Sequence, residues 1–218
     1  LVARQLSEYH RIHAESVIAD LTNPADLDVL AERIRHAPNL ALLINNAGFG
    51  TSGRFHVAEA DRLTAEVALN VTALTRLSHA AMRAMVPQGR GYLLNVSSMV
   101  SFQPAPLLAV YGATKAYVTS LSESLHEELR GSGVAVTSLC PGLTRTEFQS
   151  VSNTEHYQRQ YPAIAWLSAE RVARDGLADC AAGKAVSVPG AQYKGMVALS
   201  SVMPRRVLRR LSGMVQRD

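Results

Sequence analysis

Short apolar runs alternate along the chain with longer stretches in which apolar residues recur every three or four positions. The runs are typical of buried strands and the stretches of amphipathic helices. They predict strands over 17–21, 40–44, 92–96, 134–139 and 185–188, and helices over 24–36, 58–85, 111–130, 168–182 and near the C-terminus. This alternation indicates an α/β fold with a doubly wound parallel sheet of Rossmann type. A length of 218 residues suits one domain over 1–218.

Residues that favour turns and caps define several element ends. Pro24 suits a first helical turn and Thr22 or Asn23 its N-cap, while Gly131 suits the end of the third predicted helix. The segment 143–166 is polar and irregular between apolar segments, which predicts a lid or substrate loop. Its aromatic residues either line an apolar pocket or pack the lid on the core: Phe148, Tyr157, Tyr161 and Trp166.

Composition adds little to this prediction. Hydrophobic residues make up 47% and charged residues 18%, and the net charge of +4 is mildly basic and by itself says little about partners. We expect no nucleic-acid partner. Cys140 and Cys180 share no short-spaced motif, and His10 and His13 lack a further ligand at suitable spacing, so no metal site is predicted. No apolar run approaches the roughly 18 residues that span a bilayer. Unpaired cysteines favour a reducing compartment, and we expect a cytoplasmic protein.

The sequence Tyr111-Gly112-Ala113-Thr114-Lys115 carries the strongest chemical signal. Residues four apart share one face of a helix, so the phenol and the ammonium can point into one pocket. A free tyrosine has a pKa near 10, and a nearby cation lowers that pKa toward the range where acid–base catalysis is efficient. Ser98 ends the preceding predicted strand and could hydrogen-bond the substrate oxygen that the tyrosine protonates.

Further polar motifs stand before and after this pair in a fixed order. In chain order the set is Asn45-Asn46-Ala47-Gly48, Asn70, Asn95-Val96-Ser97-Ser98, Tyr111 with Lys115, and Pro141-Gly142. A lone tyrosine–lysine pair occurs by chance on many helices, but the ordered set is specific. It resembles the short-chain dehydrogenase/reductase family over nearly the whole chain.

This resemblance implies a catalytic set of Asn70, Ser98, Tyr111 and Lys115. Tyr111 would protonate a carbonyl oxygen that Ser98 orients, and Lys115 would lower the pKa of the tyrosine and bind the nicotinamide ribose. Asn70 would hold a water that connects the lysine to solvent. Each residue also has a structural explanation: a buried tyrosine with a solvated lysine, a turn serine, and a locally bonded helical asparagine.

The resemblance also implies a dinucleotide site at the carboxyl ends of the strands. Residues near 20 would meet adenine, those near 45 the adenosine ribose, and those after 140 the nicotinamide carboxamide. The implied cofactor residues are Asp20, Leu21, Asn45, Ala47, Gly48, Tyr111, Lys115, Pro141, Gly142, Leu143 and Thr146. A helix-capping aspartate and ordinary turns are the alternatives.

The start of the chain departs from the family pattern. It lacks the first strand and the glycine-rich turn that hold the cofactor pyrophosphate, so we expect the sequence to be part of a longer chain. Residues 1–4 are similar to the end of the family's second strand. A basic residue there can pair with a ribose 2′-phosphate, so Arg4 favours NADP(H) over NAD(H), with a solvent-facing arginine as the alternative.

The sequence therefore predicts an NADP(H)-dependent oxidoreductase that interconverts a carbonyl and a secondary alcohol on a small, apolar substrate. A non-catalytic dinucleotide-binding or scaffold protein, and an isomerase or dehydratase of the same fold, stay open. By resemblance we expect a homodimer or homotetramer. The basic segment 202–211 is predicted to pack its apolar side on the core, with a membrane surface or a partner as the alternative.

Overall fold

A four-stranded parallel sheet forms the centre of the computed structural model, which describes residues 2–215. Its strands are β1 (Leu42–Asn45), β2 (Gly91–Val96), β3 (Val134–Leu139) and β6 (Val186–Ser187), in the order β1-β2-β3-β6. A separate parallel pair joins β4 (Thr144–Arg145) to β5 (Leu167–Ser168). The predicted parallel α/β architecture is confirmed.

Helices connect these strands in the α/β manner. They are α1 (Val2–His10), α2 (Pro24–Arg35), α3 (Ala60–Val67), α4 (Leu74–Gln88), α5 (Ala109–Glu128), α6 (Phe148–Val151), α7 (Tyr157–Gln160), α8 (Ala169–Ala181), α9 (Ala191–Val202) and α10 (Arg205–Val215). Short 3-10 helices lie at Phe55–Val57, Met99–Phe102 and Ala163–Ala165. None of these helices, within residues 2–215, combines the length and apolar character needed to cross a bilayer.

Both faces of the sheet are covered. Leu93 and Leu94 follow each other on β2, so their side chains point to opposite faces, and both are buried. Leu94 belongs to one apolar cluster with Val172 of α8. On the other face Asn95 donates a hydrogen bond of 3.0 Å to Ser122 of α5. Near-continuous burial along β2 is what a doubly covered parallel sheet requires.

Two strands predicted near the start of the chain are wrong. Residues 2–4 belong to α1, where Arg4 and Glu8 form an ion pair of 2.8 Å at i,i+4 spacing; Leu1 lies outside the described residues. Residues 17–21 form no strand, and Ile18 is fully exposed at 100%. A strand needs a neighbour to take up its backbone hydrogen bonds, and among the described strands β1 pairs only with β2.

The predicted helix over 24–36 is confirmed as α2, and the structure shows which of the two candidate residues caps its start. Asn23 is the N-cap, because its side-chain oxygen accepts hydrogen bonds from the backbone amides of Ala25 (2.9 Å) and Asp26 (3.4 Å). Pro24 occupies the first turn, where its missing N–H costs nothing. Ser168 caps α8 in the same way through the amide of Arg171.

The helix predicted over 58–85 is a composite. A π-helical turn at Ala68–Ala73 joins α3 to α4, and α4 continues past Pro87 to end at Gly89, whose φ of 65° is left-handed. A π-helical turn inserts one extra residue into an α-helix and often marks a functional site. Asn70 lies in this turn and is buried.

The segment 143–166 is more ordered than predicted. It contains β4, α6, α7 and a 3-10 helix. Two hydrogen bonds anchor α6 and the residue after it to the loop that follows β1 and to α3: Gly50 N donates to Ser152 Oγ (2.9 Å), and Arg62 Nη2 donates to the Val151 carbonyl (2.6 Å). The role of this segment as a lid stays a prediction.

A connected set of buried polar side chains joins the strands to the helices. Asn45 of β1 donates from Nδ2 to Ser78 Oγ (3.0 Å) and to Asn95 Oδ1 (2.9 Å), and Asn95 in turn reaches Ser122. All four side chains are buried. Because an unpaired amide in the interior is costly, this set fixes the positions of α4 and α5 relative to the strand ends.

Candidate active site

A cavity of about 1070 Å³ opens at the carboxyl ends of β1, β2 and β3. This is the edge where ligands bind in open parallel sheets. Its floor includes eight of the predicted site residues: Gly48, Ser98, Tyr111, Lys115, Pro141, Gly142, Leu143 and Thr146. Its far wall is mainly apolar and includes Met196 and Leu199 of α9 and Leu208 and Leu211 of α10.

Tyr111 and Lys115 lie one turn apart on α5 and are both buried, with 7% and 4% of their surfaces exposed. Lys115 Nζ donates a hydrogen bond of 2.7 Å to the carbonyl of Val96, at the end of β2. The same Nζ lies 5.7 Å from the centre of the Tyr111 ring. Both polar groups therefore reach one pocket, as the i,i+4 spacing predicts.

Burial has the largest effect on the acid–base properties of this pair. It raises the pKa of Tyr111 above its usual value, and a hydrogen bond with the Ser98 side chain works in the opposite direction. Burial also lowers the pKa of Lys115 from 10.5 to about 8. The sequence predicts that the neighbouring lysine lowers the pKa of Tyr111, but in the structure this pKa is raised. The reason is that removing the phenolate from water costs more free energy than the nearby hydrogen bond restores.

Ser98 and Ser97 have different environments. Ser98 lines the cavity, where its Oγ accepts a hydrogen bond from Val100 N (3.3 Å) and caps the following 3-10 helix. Ser97 Oγ donates to the Lys115 carbonyl (2.8 Å) and bonds Thr119 (2.7 Å). Ser97 therefore holds α5 against β2, whereas the Ser98 hydroxyl is the one beside the Tyr111 phenol.

Asn70 connects the π-helical turn to the loop after β1. Its Nδ2 donates to the Phe49 carbonyl (2.8 Å) and to Thr114 Oγ1 (3.1 Å), and its Oδ1 accepts from Phe49 N (3.2 Å). A Cβ at Gly48 would lie 2.8 Å from Asn70 Oδ1, so only glycine allows this approach. Asn70 thus fixes the loop beside Lys115, and these contacts depend on tertiary packing that the sequence pattern does not show.

The turn after β3 is covered by a residue that sequence reasoning missed. The Tyr193 ring packs so closely on Gly142 that a Cβ there would overlap it. The Tyr193 hydroxyl accepts a hydrogen bond from Leu143 N (3.0 Å) and donates one to the Ala165 carbonyl (2.5 Å). The backbone N–H after Pro141-Gly142, which the family resemblance assigns to the nicotinamide carboxamide, is thus already engaged.

Other predicted cofactor residues lie outside the cavity lining: Arg4, Asp20, Leu21, Asn45 and Ala47. Arg4 is on exposed α1 and pairs with Glu8. The Asp20 carboxylate accepts from Thr22 N (2.9 Å) and Thr22 Oγ1 (2.7 Å), so it closes a turn before α2. The cofactor-binding roles of these five residues stay predictions. The contacts that Arg4 and Asp20 make in the structure are with neighbouring residues of their own segments.

Three of the four aromatic side chains of the 143–166 segment line the cavity, which is the first of the two alternatives that the sequence predicts. Phe148, Tyr157 and Tyr161 line it, and the Phe148 ring lies 5.4 Å from the Tyr111 ring. Trp166 is buried elsewhere. Among residues 2–215, no three histidine, cysteine or acidic side chains cluster as a metal site requires.

Comparison with known proteins agrees with this geometry. Residues 1–156 match the family model described as short chain dehydrogenase. Because the match covers well over half of the chain, the protein belongs to the short-chain dehydrogenase family. An uncharacterized oxidoreductase of Myxococcus xanthus is 33% identical over 160 residues, or 69% of this chain and 63% of that protein. The chain thus spans less than two thirds of this relative.

Two solved structures are similar over most of the chain. A short-chain dehydrogenase from Sphingobium yanoikuyae in complex with NADPH has a TM-score of 0.81 at 32% identity, covering 94% of this chain and 82% of that one. A bulky-bulky ketone specific alcohol dehydrogenase from Comamonas testosteroni has a TM-score of 0.76 at 30% identity, covering 94% and 80%. Both likenesses extend beyond residue 156, the end of the family-model match.

Proposed function

We propose that the protein is a nicotinamide-dependent oxidoreductase that interconverts a bulky, apolar ketone and its secondary alcohol. The observation that carries this proposal is that Ser98 and Tyr111 both line an apolar cavity of about 1070 Å³, where the Ser98 side chain works to lower the pKa of the Tyr111 phenol. A carbonyl oxygen placed between two such hydroxyls receives hydrogen bonds that strengthen as negative charge develops on it.

The chain's own residues divide the acid–base work. Tyr111 gives its proton to the substrate oxygen in reduction and takes it back in oxidation, while Ser98 holds that oxygen in place. Lys115 uses one of its three N–H donors on Val96, which leaves two for a ligand and for the phenol. Asn70 keeps the loop at Gly48 beside Lys115. Its water-holding role stays a prediction, because Phe49 and Thr114 already accept both hydrogens of its Nδ2.

The floor of the cavity fits a nicotinamide nucleotide. Gly48, Lys115, Pro141 and Thr146 line the same space at the carboxyl ends of the strands. When bound, the nicotinamide supplies the two-electron chemistry. We favour NADP(H), because the similar Sphingobium enzyme was solved with NADPH. Arg4, on exposed α1 and paired with Glu8, lends this preference no support.

The wall of the cavity supports a large apolar substrate. Side chains from α9, α10 and the residues between them line the same cavity as the hydroxyls, and several are apolar: Met196, Leu199, Met203, Leu208 and Leu211. Burying apolar surface against them contributes about 25 cal/mol per Å². The similar Comamonas enzyme is specific for bulky-bulky ketones.

The test is NADPH and NADH oxidation, followed by absorbance, against ketones of increasing size. We expect turnover with bulky aryl or polycyclic ketones and a higher kcat/KM with NADPH. Tyr111→Phe should lose about 10³-fold in kcat with little change in NADPH affinity. Tyr117→Phe is a matched control, because Tyr117 lies on the same helix but is 38% exposed and bonds Thr75. Turnover by Tyr111→Phe close to that of the control would refute the proposal.

A homodimer or homotetramer and a cytoplasmic location complete the proposal. Phe55, Val57 and Val67 are exposed apolar residues, and Phe55 and Val67 line one shallow depression with the first turn of α5. Such a patch suits association of two copies through their long helices. Cys140 and Cys180 are buried free thiols, which suits a reducing compartment. Light scattering of the purified protein measures the assembly directly.

A further inference from the structure

The helices α9 and α10 carry charge of one sign. Between residues 180 and 215 the sequence has six basic residues and no acidic one. Four of the six are exposed arginines of α10: Arg205, Arg206, Arg209 and Arg210. Within residues 2–215, none of these four arginines forms an ion pair. The described part of the chain therefore leaves their positive charge available to an outside partner.

Exposed apolar side chains lie on the same two helices. On α9, Leu199 is 58% and Val202 77% exposed, and Met196 is exposed as well. On α10, Val207 and Leu211 are exposed, whereas Leu208 is buried. The apolar side of α10 is therefore only partly covered by the core. We call the exposed apolar residues and the four arginines together the α9–α10 surface: Met196, Leu199, Val202, Val207 and Leu211 with Arg205, Arg206, Arg209 and Arg210.

The charged and apolar residues of α10 form neighbouring rows. Residues four apart share one face of a helix, so Arg206 and Arg210 form one row and Val207 and Leu211 the next. Such a helix is typical of the interface of a membrane, where its apolar side enters the boundary of the acyl chains. The long stem of an arginine lets its guanidinium group reach the lipid headgroups while the stem covers apolar surface.

The cavity of the candidate active site is continuous with the α9–α10 surface. Met196, Leu199 and Leu211 line the cavity and are at the same time exposed to solvent. These three residues therefore belong to the edge of the cavity, where its apolar wall meets the outside. A molecule that covers the α9–α10 surface would also cover this edge.

We propose that the α9–α10 surface docks on an anionic lipid membrane. The exposed apolar residues of both helices enter the boundary of the acyl chains, and the arginines of α10 bind the phosphate groups of the headgroups. An apolar substrate dissolved in the lipid would then reach the cavity without passing through water. The docking goes beyond the proposed oxidoreductase function and does not depend on it.

Other occupants match fewer of these features. In a two-fold dimer the same surface of each copy meets its counterpart, so the arginines of one α10 would face those of the other. A nucleic acid would pair with the arginines through its phosphates, but it would leave Leu199 and Val202 exposed. An acidic protein remains as an alternative occupant, which the experiment separates from lipid.

The experiment is co-sedimentation of the protein with vesicles of phosphatidylcholine, alone or mixed with phosphatidylglycerol. Wild type should bind the mixed vesicles at least tenfold more tightly, and raising the NaCl concentration should weaken this binding. Each arginine near an anionic surface is worth about fivefold in partitioning, so Arg206→Gln/Arg210→Gln should bind about 25-fold more weakly. Val202→Asn should weaken binding several-fold, because it removes apolar surface from the membrane boundary.

Two matched variants control for charge and for apolar surface. Arg90→Gln/Arg130→Gln removes the same charge from exposed residues that directly precede β2 or follow α5, at the edge of the sheet opposite the cavity. Val29→Asn changes a valine of α2 that is 70% exposed. Both controls should bind the mixed vesicles like wild type. Because all these positions are exposed, we expect every variant to fold, which circular dichroism checks.

Several outcomes would overturn the docking. They are equal binding of wild type to both kinds of vesicle, losses in the controls equal to those in the α9–α10 variants, and binding to soluble polyglutamate without binding to vesicles. The last result would assign the surface to an acidic protein. Vesicle binding is measured without substrate, so a protein that docks but reduces no ketone would refute the proposed function and leave the docking established.

Discussion

Replacing the buried Lys115 by methionine should abolish turnover and, at the same time, make the protein more stable at pH 7. Burial lowers the pKa of this lysine from 10.5 to about 8. At about 1.36 kcal/mol for each pH unit, keeping the ammonium in the folded protein costs roughly 3 kcal/mol at neutral pH. The variant also leaves the Val96 carbonyl without its donor, which costs about 1 kcal/mol. The expected net gain in the free energy of unfolding is about 2 kcal/mol.

The pH dependence of this gain follows from the direction of the pKa. Because the folded protein binds the Lys115 proton more weakly than the unfolded chain, the penalty is fully present below about pH 8 and disappears as the pH rises toward 10.5. The stability difference between Lys115→Met and wild type should therefore be largest near pH 7. It should shrink or reverse near pH 10.

Urea denaturation at pH 7 and pH 10, followed by circular dichroism, measures both differences. Lys194→Met serves as control, since Lys194 is an exposed lysine on α9. We expect that variant to stay within about 0.5 kcal/mol of wild type at both pH values. A loss of stability in Lys115→Met at pH 7, or a difference that is the same at both pH values, would show that burial of the ammonium carries no such cost.

Three further predictions concern the walls of the cavity. Gly142→Ala should lower stability by about 2 kcal/mol, because its methyl group overlaps the Tyr193 ring; calorimetry should show a clear drop in melting temperature. Tyr193→Phe removes the hydroxyl that joins Leu143 to Ala165 and should cost about 1–2 kcal/mol, measured by urea denaturation; an unchanged midpoint would contradict the importance of that link. Leu199→Trp should raise the KM for bulky ketones at least several-fold and leave the KM for acetone unchanged, because it fills the far side of the cavity; equal effects on both ketones would argue against that binding site.

The sequence was sufficient for the parallel sheet because its central strands are short, mostly apolar runs. The runs at 92–96 and 134–139 became β2 and β3, buried on both faces. The run at 17–21 has similar composition but lacks a neighbouring strand, so the same local pattern gave no strand there. At the start of the chain, the i,i+4 spacing of Arg4 and Glu8 favours a helix, and the two side chains pair on α1.

The meeting of the candidate site residues in one cavity was predictable because they belong to motifs with short, fixed spacing. Ser98, Tyr111 and Lys115 meet in the cavity through one strand end and one helix face. The role of Tyr193 was not predictable. Tyr193 meets Leu143 fifty positions earlier in the chain, so only tertiary packing reveals this contact.

The two hydrogen bonds of the Tyr193 hydroxyl have a consequence for the way in which two ligands would affect each other's binding. A single hydroxyl ties the turn after β3 to the far end of the 143–166 segment, and its ring presses on Gly142. Displacing either side alone would break one of these hydrogen bonds. A ligand that moves the turn after β3 would therefore change the affinity for a ligand that contacts the far end of the segment, and linkage would make that change equal in both directions.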